Sequence, residues 1–472
     1  MTDDDKEFYE EGASLAAKYE ASVRKGDSST YFDSDEMETL IDYYIATDEL
    51  DKAEEAQAYG AAMHPESRAI KLKLAKICLL KEKYSETDAI LSALDSIEGD
   101  YIGMWAECIA RKGDIARSKT LFRKYLQDCH PDEICAVYLD IATFYNTIEQ
   151  YTVAAEFLDE ACLLYPDSVD LWNERGYSYD LCGDDAKALE SYNRAIDIDP
   201  YKSESWCYLG SIYFKTQNME KALDAFNFSL AINGDDMLTV LQKAHCLFNL
   251  GRYEEAKEAY RQYLNYNRTD ALALTFYAEC FENTDDCDTA LTLYKKAVKI
   301  DPSLVDGWVG LCGCAFDTGE KPEEALRYAK EAYKLHPDNV EIVSCLADNY
   351  DRRAALTDRD DDYDRALDLY LRCIELDPQN EQYWVDAGNL YLRCSLFDKA
   401  KSFLEVAYTL NPKSEKLTIM LAMTCYCLDD RKAFMRYYSE ARETYPNARE
   451  IIVRVFPDAA QWIDSAEAGP QQ

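Results

Sequence analysis

From Cys135 onward the chain repeats itself, with units beginning at 135, 169, 203, 237, 271 and 305 following one another at a constant interval of 34 residues. Ala142, Gly176, Gly210, Ala244 and Ala278 share position 8 of their units. Ala154, Ala188, Ala222, Ala256 and Ala290 share position 20. Composition alone does not generate such a register. The interval calls for one elongated array of like units stacked on a continuous core, in place of separate globular domains. Apolar residues make up 48% of the 472, enough to supply that core.

The unit Val169 to Lys202 reads as two amphipathic helices. Trp172, Gly176 and Tyr179 (positions 4, 8 and 11) lie on one helical face, and Ala188, Tyr192 and Ala195 (positions 20, 24 and 27) on another. Gly183, followed by Asp184 and Asp185, ends the first helix and seeds the second. Glycine accepts a left-handed C-cap, and carboxylates suit a helix N-terminus. Small residues at 8 and 20 let the backbones approach while Trp172 and Tyr192 fill the space beside them. Pro200 stops the second helix. Nine of the twelve prolines fall at or next to position 32, so proline here terminates helices and does not mark linkers. Trp172, Trp206, Trp308 and Trp384 all hold position 4, each six residues after a proline.

These places resemble the signature of the tetratricopeptide repeat. The resemblance implies an all-α solenoid of helix-turn-helix units wound into a right-handed superhelix. About twelve units cover residues 34–448, starting near 34, 68, 99, 135, 169, 203, 237, 271, 305, 340, 381 and 415. Residues 1–33 form an acidic segment with one packing helix (Phe8, Leu15, Ala16, Tyr19, Val23) ended by Gly26 to Ser29. The ninth unit holds one extra residue near Lys321 and Pro322. The tenth carries about seven extra residues between Asp351 and Asp364, read as a solvated, mobile loop. A capping helix is expected over 449–464, using Ile451, Ile452, Val455 and Trp462, and a disordered tail over 465–472.

The same resemblance implies that positions 2, 5, 9, 12 and 13 of the first helices line a groove for a partner segment. Those positions nominate Asn173, Tyr177 and Asp180; Ser211, Phe214 and Lys215; His245, Phe248 and Asn249; Thr275, Glu279 and Glu282; then Asp348, Asn389 and Arg393. Position 5 reads Asn173, Cys207, Leu241, Thr275 and Val309, so the lysine clamp with which some members hold acidic chaperone tails is missing.

Charge sets the partner's sign. With 51 Lys and Arg against 90 Asp and Glu the chain carries −39, which repels nucleic acid and favours a neutral or basic polypeptide. Seventeen cysteines lack the close even spacing of a disulfide framework. Cys246, Cys280 and Cys314 recur at position 10, where they stack as small apolar residues, and free thiols in such number point to a reducing, cytoplasmic setting. No apolar run is long enough for a membrane span.

Catalysis finds little to work with. His64, His130 and His336 each precede a helix-ending proline, and only His245 is placed to face the groove. Asp358, Asp360, Asp362 and Asp364 alternate like the start of a calcium loop. Tyr363 and Leu369 stand where the turn glycine and the bidentate glutamate belong. Cys312 and Cys314, and Cys425 and Cys427, lack metal-site spacing. The expectation is a non-enzymatic interaction scaffold without cofactor or metal. The alternatives are a regulatory or structural subunit that self-associates or joins a larger complex through repeat edges, and an accessory chain presenting substrates to a separate enzyme.

Overall fold

The structure, a computed structural model, describes residues 3–25, 30–94, 97, 99–317, 322–357, 359–412 and 414–467. Among the described residues every regular element is an α-helix, and the fold is the all-α solenoid of paired helices. The expected helix stop at Gly26 to Ser29, the extra residue at Lys321, and residues 468–472 of the expected tail lie outside them, while residues 465–467 of that tail belong to a helix.

The chain forms two compact units. In residues 1–216, helix Asp3–Lys25 packs on Ser34–Ala46. The pairs then run Ser34–Ala46 with Leu50–Met63, Arg68–Leu80 with Tyr84–Ser92, Asp100–Arg111 with Ile115–Asp128, Ile134–Thr147 with Tyr151–Leu164, and Val169–Cys182 with Asp185–Ile198, followed by Ser203–Lys215. The second unit, residues 217–472, opens with Met219–Ile232. Its pairs are Met237–Asn249 with Tyr253–Tyr266, Ala271–Glu282 with Cys287–Ile300, Val305–Asp317 with Pro322–Leu335, Val340–Thr357 with Asp360–Leu376, Glu381–Arg393 with Phe397–Leu410, and Glu415–Cys427 with Arg431–Thr444.

Each signature place has a visible job. A Cβ on Gly176 would stand 2.5 Å from Cε1 of the Tyr192 ring, so only glycine lets the two helices of that repeat meet. Gly310 is likewise covered by the ring of Tyr294. Alanines at position 20, Ala154, Ala188, Ala222, Ala256 and Ala290, are sealed from solvent. The tryptophan–proline spacing also finds its cause. Trp172, Trp206, Trp308 and Trp384 donate their indole N–H to the carbonyls of Pro166, Pro200, Pro302 and Pro378 at 2.9–3.1 Å, fastening the start of one repeat to the end of the last.

The turn between helices is more uniform than its residues. Position 15 is left-handed at Gly113, Gly183 and Gly251, and equally at Asp48, Glu82, Glu149, Gln217, Asp285, Ser395 and Asp429. Behind it, the next backbone N–H reaches back to position 11: Asp184 N to Tyr179 O at 2.9 Å, Gln150 N to Tyr145 O at 2.8 Å, Asp286 N to Phe281 O at 2.9 Å. That bond closes a Schellman-type C-cap and holds the strained conformation where glycine is lacking.

Two expectations are corrected. The extra residues of the tenth repeat form no loop, because they lengthen both its helices, to Thr357 and from Asp360. Arg353, on the first, donates from Nε and Nη2 to Oδ2 and Oδ1 of Asp362, on the second, at 2.8 and 2.6 Å, and both are buried. The capping helix is two helices, Ala448–Val455 and Ala459–Glu467, since Pro457 lacks the N–H needed to continue. Ile452, Ile463 and Trp462 pack against the last repeat, with Trp462 on the rings of Tyr426 and Phe434, while Val455 stays exposed.

Candidate docking groove

First helices of successive repeats lie beside one another in the second unit, and their polar side chains converge on a groove of about 670 Å³. Helix Ala271–Glu282 contributes Glu279 and Glu282, Val305–Asp317 contributes Asp306 and Val309, Val340–Thr357 contributes Glu341, Asp348 and Asn349, and Glu381–Arg393 contributes Tyr383. Position 9 recurs every 34 residues, so Glu279 is followed on the next helix by Gly313. That residue has no side chain and leaves the space open.

Tyrosines from second helices support the wall. Tyr294 Oη donates to Glu282 Oε2 at 2.8 Å and Tyr370 Oη to Asp348 Oδ1 at 2.7 Å. Burial, with the nearby charges of Asp306 and Glu282, pushes the Glu279 carboxyl up to about 7. Burial also raises Asp348, and raises Asp386 on the neighbouring helix to about 6. Glu279 and Asp348 are therefore poorly solvated carboxyls set among further acids of the groove wall, an environment that stabilises an incoming cation.

The nominated residues divide. Glu279, Glu282 and Asp348 share this groove. His245 and Phe248 belong instead to an aromatic cluster: His245 Nδ1 lies 2.7 Å from Tyr260 Oη, and the rings of His245 and Phe248 meet Phe276 edge-on. Burial holds the His245 imidazole below its ordinary range. Asn249 is exposed, its Nδ2 donating to His245 O at 2.8 Å. Thr275 is a correction. It is 1% exposed, donates to Ala271 O at 3.0 Å and abuts Gly307 of the next first helix, so this side chain faces the neighbouring repeat, whereas Val309 at the same position of the next unit lines the groove. Asn389 is half-buried, and Arg393 is exposed and paired with Asp351.

In the first unit, Tyr177 stands 44% exposed and Asn173 is buried, with no hydrogen bond accepted by Oδ1. Lys215 reaches Asp180 and Asp185, both at 2.7 Å, an ion cluster that leaves its charge balanced within the chain. Ser211 returns its hydroxyl to Cys207 O, with half-buried Phe214 on the same helix.

Sequence reasoning passed over Asp306, Glu341 and Asn349. The first two hold position 2, where an acid is also a plain helix-start residue. Asn349 holds position 10, below buried Cys246, Cys280 and Cys314, so an amide in that column was the available signal. Among the described residues no group of three or more His, Cys, Asp or Glu is arranged to hold a metal ion, and no helix is long and apolar enough to cross a membrane. Asp362 is committed to Arg353, and Asp358, first of the alternating aspartates, lies outside the described residues.

Comparison with known proteins follows the architecture. The family model for the tetratricopeptide repeat matches residues 147–203 and 241–304, and that for anaphase-promoting complex, cyclosome, subunit 3 matches residues 182–263. Anaphase-promoting complex subunit 3 of Schizosaccharomyces pombe is 20% identical over 168 residues, which are 36% of this chain and 24% of that protein. The match thus spans about a quarter of the curated relative's length. Among solved structures, a chain of the APC/C hetero-tetramer Cut9-Hcn1 is 13% identical, with 89% of each chain covered and a TM-score of 0.42. YrrB, described as a TPR protein with an unusual peptide-binding site, is 18% identical over 40% of this chain and 97% of its own, with a TM-score of 0.38.

Proposed function

We propose that this chain, a tetratricopeptide repeat protein, is a non-enzymatic scaffold that holds a neutral or basic polypeptide segment against the first helices of its repeats. The observation that carries this reading is the convergence of carboxylates from successive first helices on one open groove. The only histidine among the nominated residues is engaged with Tyr260. Partner recognition rests on hydrogen bonds and charge, with exposed Tyr177 and Asn249 offering further contacts outside the acidic groove.

Membership of a larger assembly is a second reading, favoured by the match of residues 182–263 to an assembly subunit. One experiment addresses both. The tagged full chain and its Tyr177→Ala/Ser211→Ala/Asn249→Ala variant are used to capture proteins from native lysate, with their sedimentation measured alongside. Specific capture that the variant weakens, at an unchanged melting temperature, is the expected result. Capture of no protein sinks the scaffold reading. Capture equal for both chains removes these three residues from it, and a stable homo-oligomer would make self-association the main contact.

A further inference from the structure

We propose that Cys312 and Cys345 form an oxidisable dithiol, which a neutral hydroperoxide converts to a disulfide tying helix Val305–Asp317 of one repeat to helix Val340–Thr357 of the next. Nothing in this pair depends on the scaffold reading. Three observations meet there. The two helices pack against each other, and the thiols of Cys312 and Cys345, both free in this structure, are hydrogen-bonded to one another. Cys312 holds position 8, a place that Ala142, Gly176, Gly210, Ala244 and Ala278 fill in the preceding units. Cys345 holds position 6, as Phe276 does in an earlier unit, where its ring centroid lies 4.9 Å from that of His245 at position 9 of the unit before. The register of the array thus brings position 6 onto the middle of the preceding first helix, and here it sets one thiol against another.

The two thiols differ in access. Cys345 is half-buried and lines the open groove, whereas Cys312 is 0% exposed and packs with Leu326, Ala329 and Val343. The hydrogen bond to Cys345, together with burial, holds the Cys312 thiol well above its ordinary range, so it stays protonated and inert toward oxidants in bulk solvent. Asn349 Nδ2 points a donor at the Cys345 sulfur from 3.7 Å, which favours the thiolate. Reaction therefore begins at Cys345. With hydrogen peroxide, the simplest of the class, the thiolate attacks one oxygen, the O–O bond breaks, and the departing hydroxide takes up the thiol's proton and leaves as water. Sulfur is oxidised to a sulfenic acid while the peroxide is reduced. The Cys312 sulfur then attacks that of Cys345: the S–O bond breaks, the S–S bond forms, and the hydroxyl leaves with the Cys312 proton as a second water. The groove wall carries Glu279, Glu282, Asp306, Glu341 and Asp348, which disfavour an anionic oxidant such as glutathione disulfide and leave a neutral one the better match.

The test treats the reduced full chain with hydrogen peroxide, blocks the remaining thiols with iodoacetamide, and maps cross-linked tryptic peptides by mass spectrometry. The expected product joins Cys312 to Cys345, is reversed by dithiothreitol, and unfolds at a higher urea midpoint than the reduced chain. Cys312→Ala takes the residue that Ala244 and Ala278 supply at the same place, so it should fold; it is expected to lose the cross-link and to leave Cys345 as a sulfenic acid that dimedone labels. Cys345→Ser should lose both the cross-link and that label, and Cys314→Ser, which removes the neighbouring thiol, should keep the cross-link. The proposal is overturned if no link between Cys312 and Cys345 forms, if Cys345 links instead to Cys314 or to another cysteine, or if dimedone labels Cys345 as strongly in the parent as in Cys312→Ala. It is overturned equally if the linked chain unfolds no later than the reduced one, or if the same link forms as fast in the urea-unfolded chain, since the fold would then not be what sets the pair.

Discussion

Gly176 carries no side chain because the buried ring of Tyr192 occupies the place one would take. Gly176→Ala should therefore cost about 1–3 kcal/mol by overpacking, read as a lower urea midpoint with the slope unchanged. Glu279 makes a different kind of demand. Its native carboxyl holds a proton up to about pH 7, whereas in the unfolded chain it loses it near the ordinary 4.5. Between these values the native state binds the extra proton, so the contribution of Glu279 to stability falls as pH rises from 4.5 to 7 and stays lost above. Glu279→Gln should raise the melting temperature relative to the parent at pH 8 by a few degrees and leave it unchanged at pH 4, as scanning calorimetry would record. At this scale the sequence was readable wherever a residue type has one use. Glycine against an aromatic ring is such a case. An acid at position 2 or 9 is not, because a helix start, a solvated surface and a ligand wall all accept it, and only burial in the fold, with the neighbouring charges of Asp306 and Glu282, makes Glu279 unusual.

At the scale of the helix pair, the left-handed residue at position 15 explains why boundaries were legible even where glycine was absent. Glu149 and Asp285 adopt the same conformation as Gly183, because the backbone bond back to position 11 enforces it. The tenth repeat breaks this rule. Its counterpart, Ala354, lies inside a continuing helix, and the acid-rich, arginine-rich run after it reads as solvated in one dimension. Pairing Arg353 with Asp362 across the two helices neutralises the charges that argued for a loop, a long-range event no local pattern announces. Asp362→Ala strands a buried guanidinium and should destabilise the second unit by about 3–5 kcal/mol, while Arg353→Met/Asp362→Leu should recover most of that loss. Urea melts of both variants check it; equal losses in the two would show that packing, and not the ion pair, dominates.

Across the whole chain, the 34-residue interval was sufficient for the architecture, because a stacked array is specified by what each unit shows its neighbour. The groove was legible only in part. Net charge states how much acid the chain carries but not where it gathers, and the gathering depends on Gly313 leaving room between Glu279 and Asp348. Arrays of near-identical units also carry a hazard of their own. While such a chain folds, a repeat can close against the wrong neighbour at small local cost, since every mating surface resembles the next. The elongated tenth repeat is unlike the others, and its buried ion pair forms only between its own two helices. It acts as an index mark: a misthreaded chain that packs either of its helices against a helix of an ordinary repeat leaves that helix's charge without its partner, which disfavours the wrong pairing.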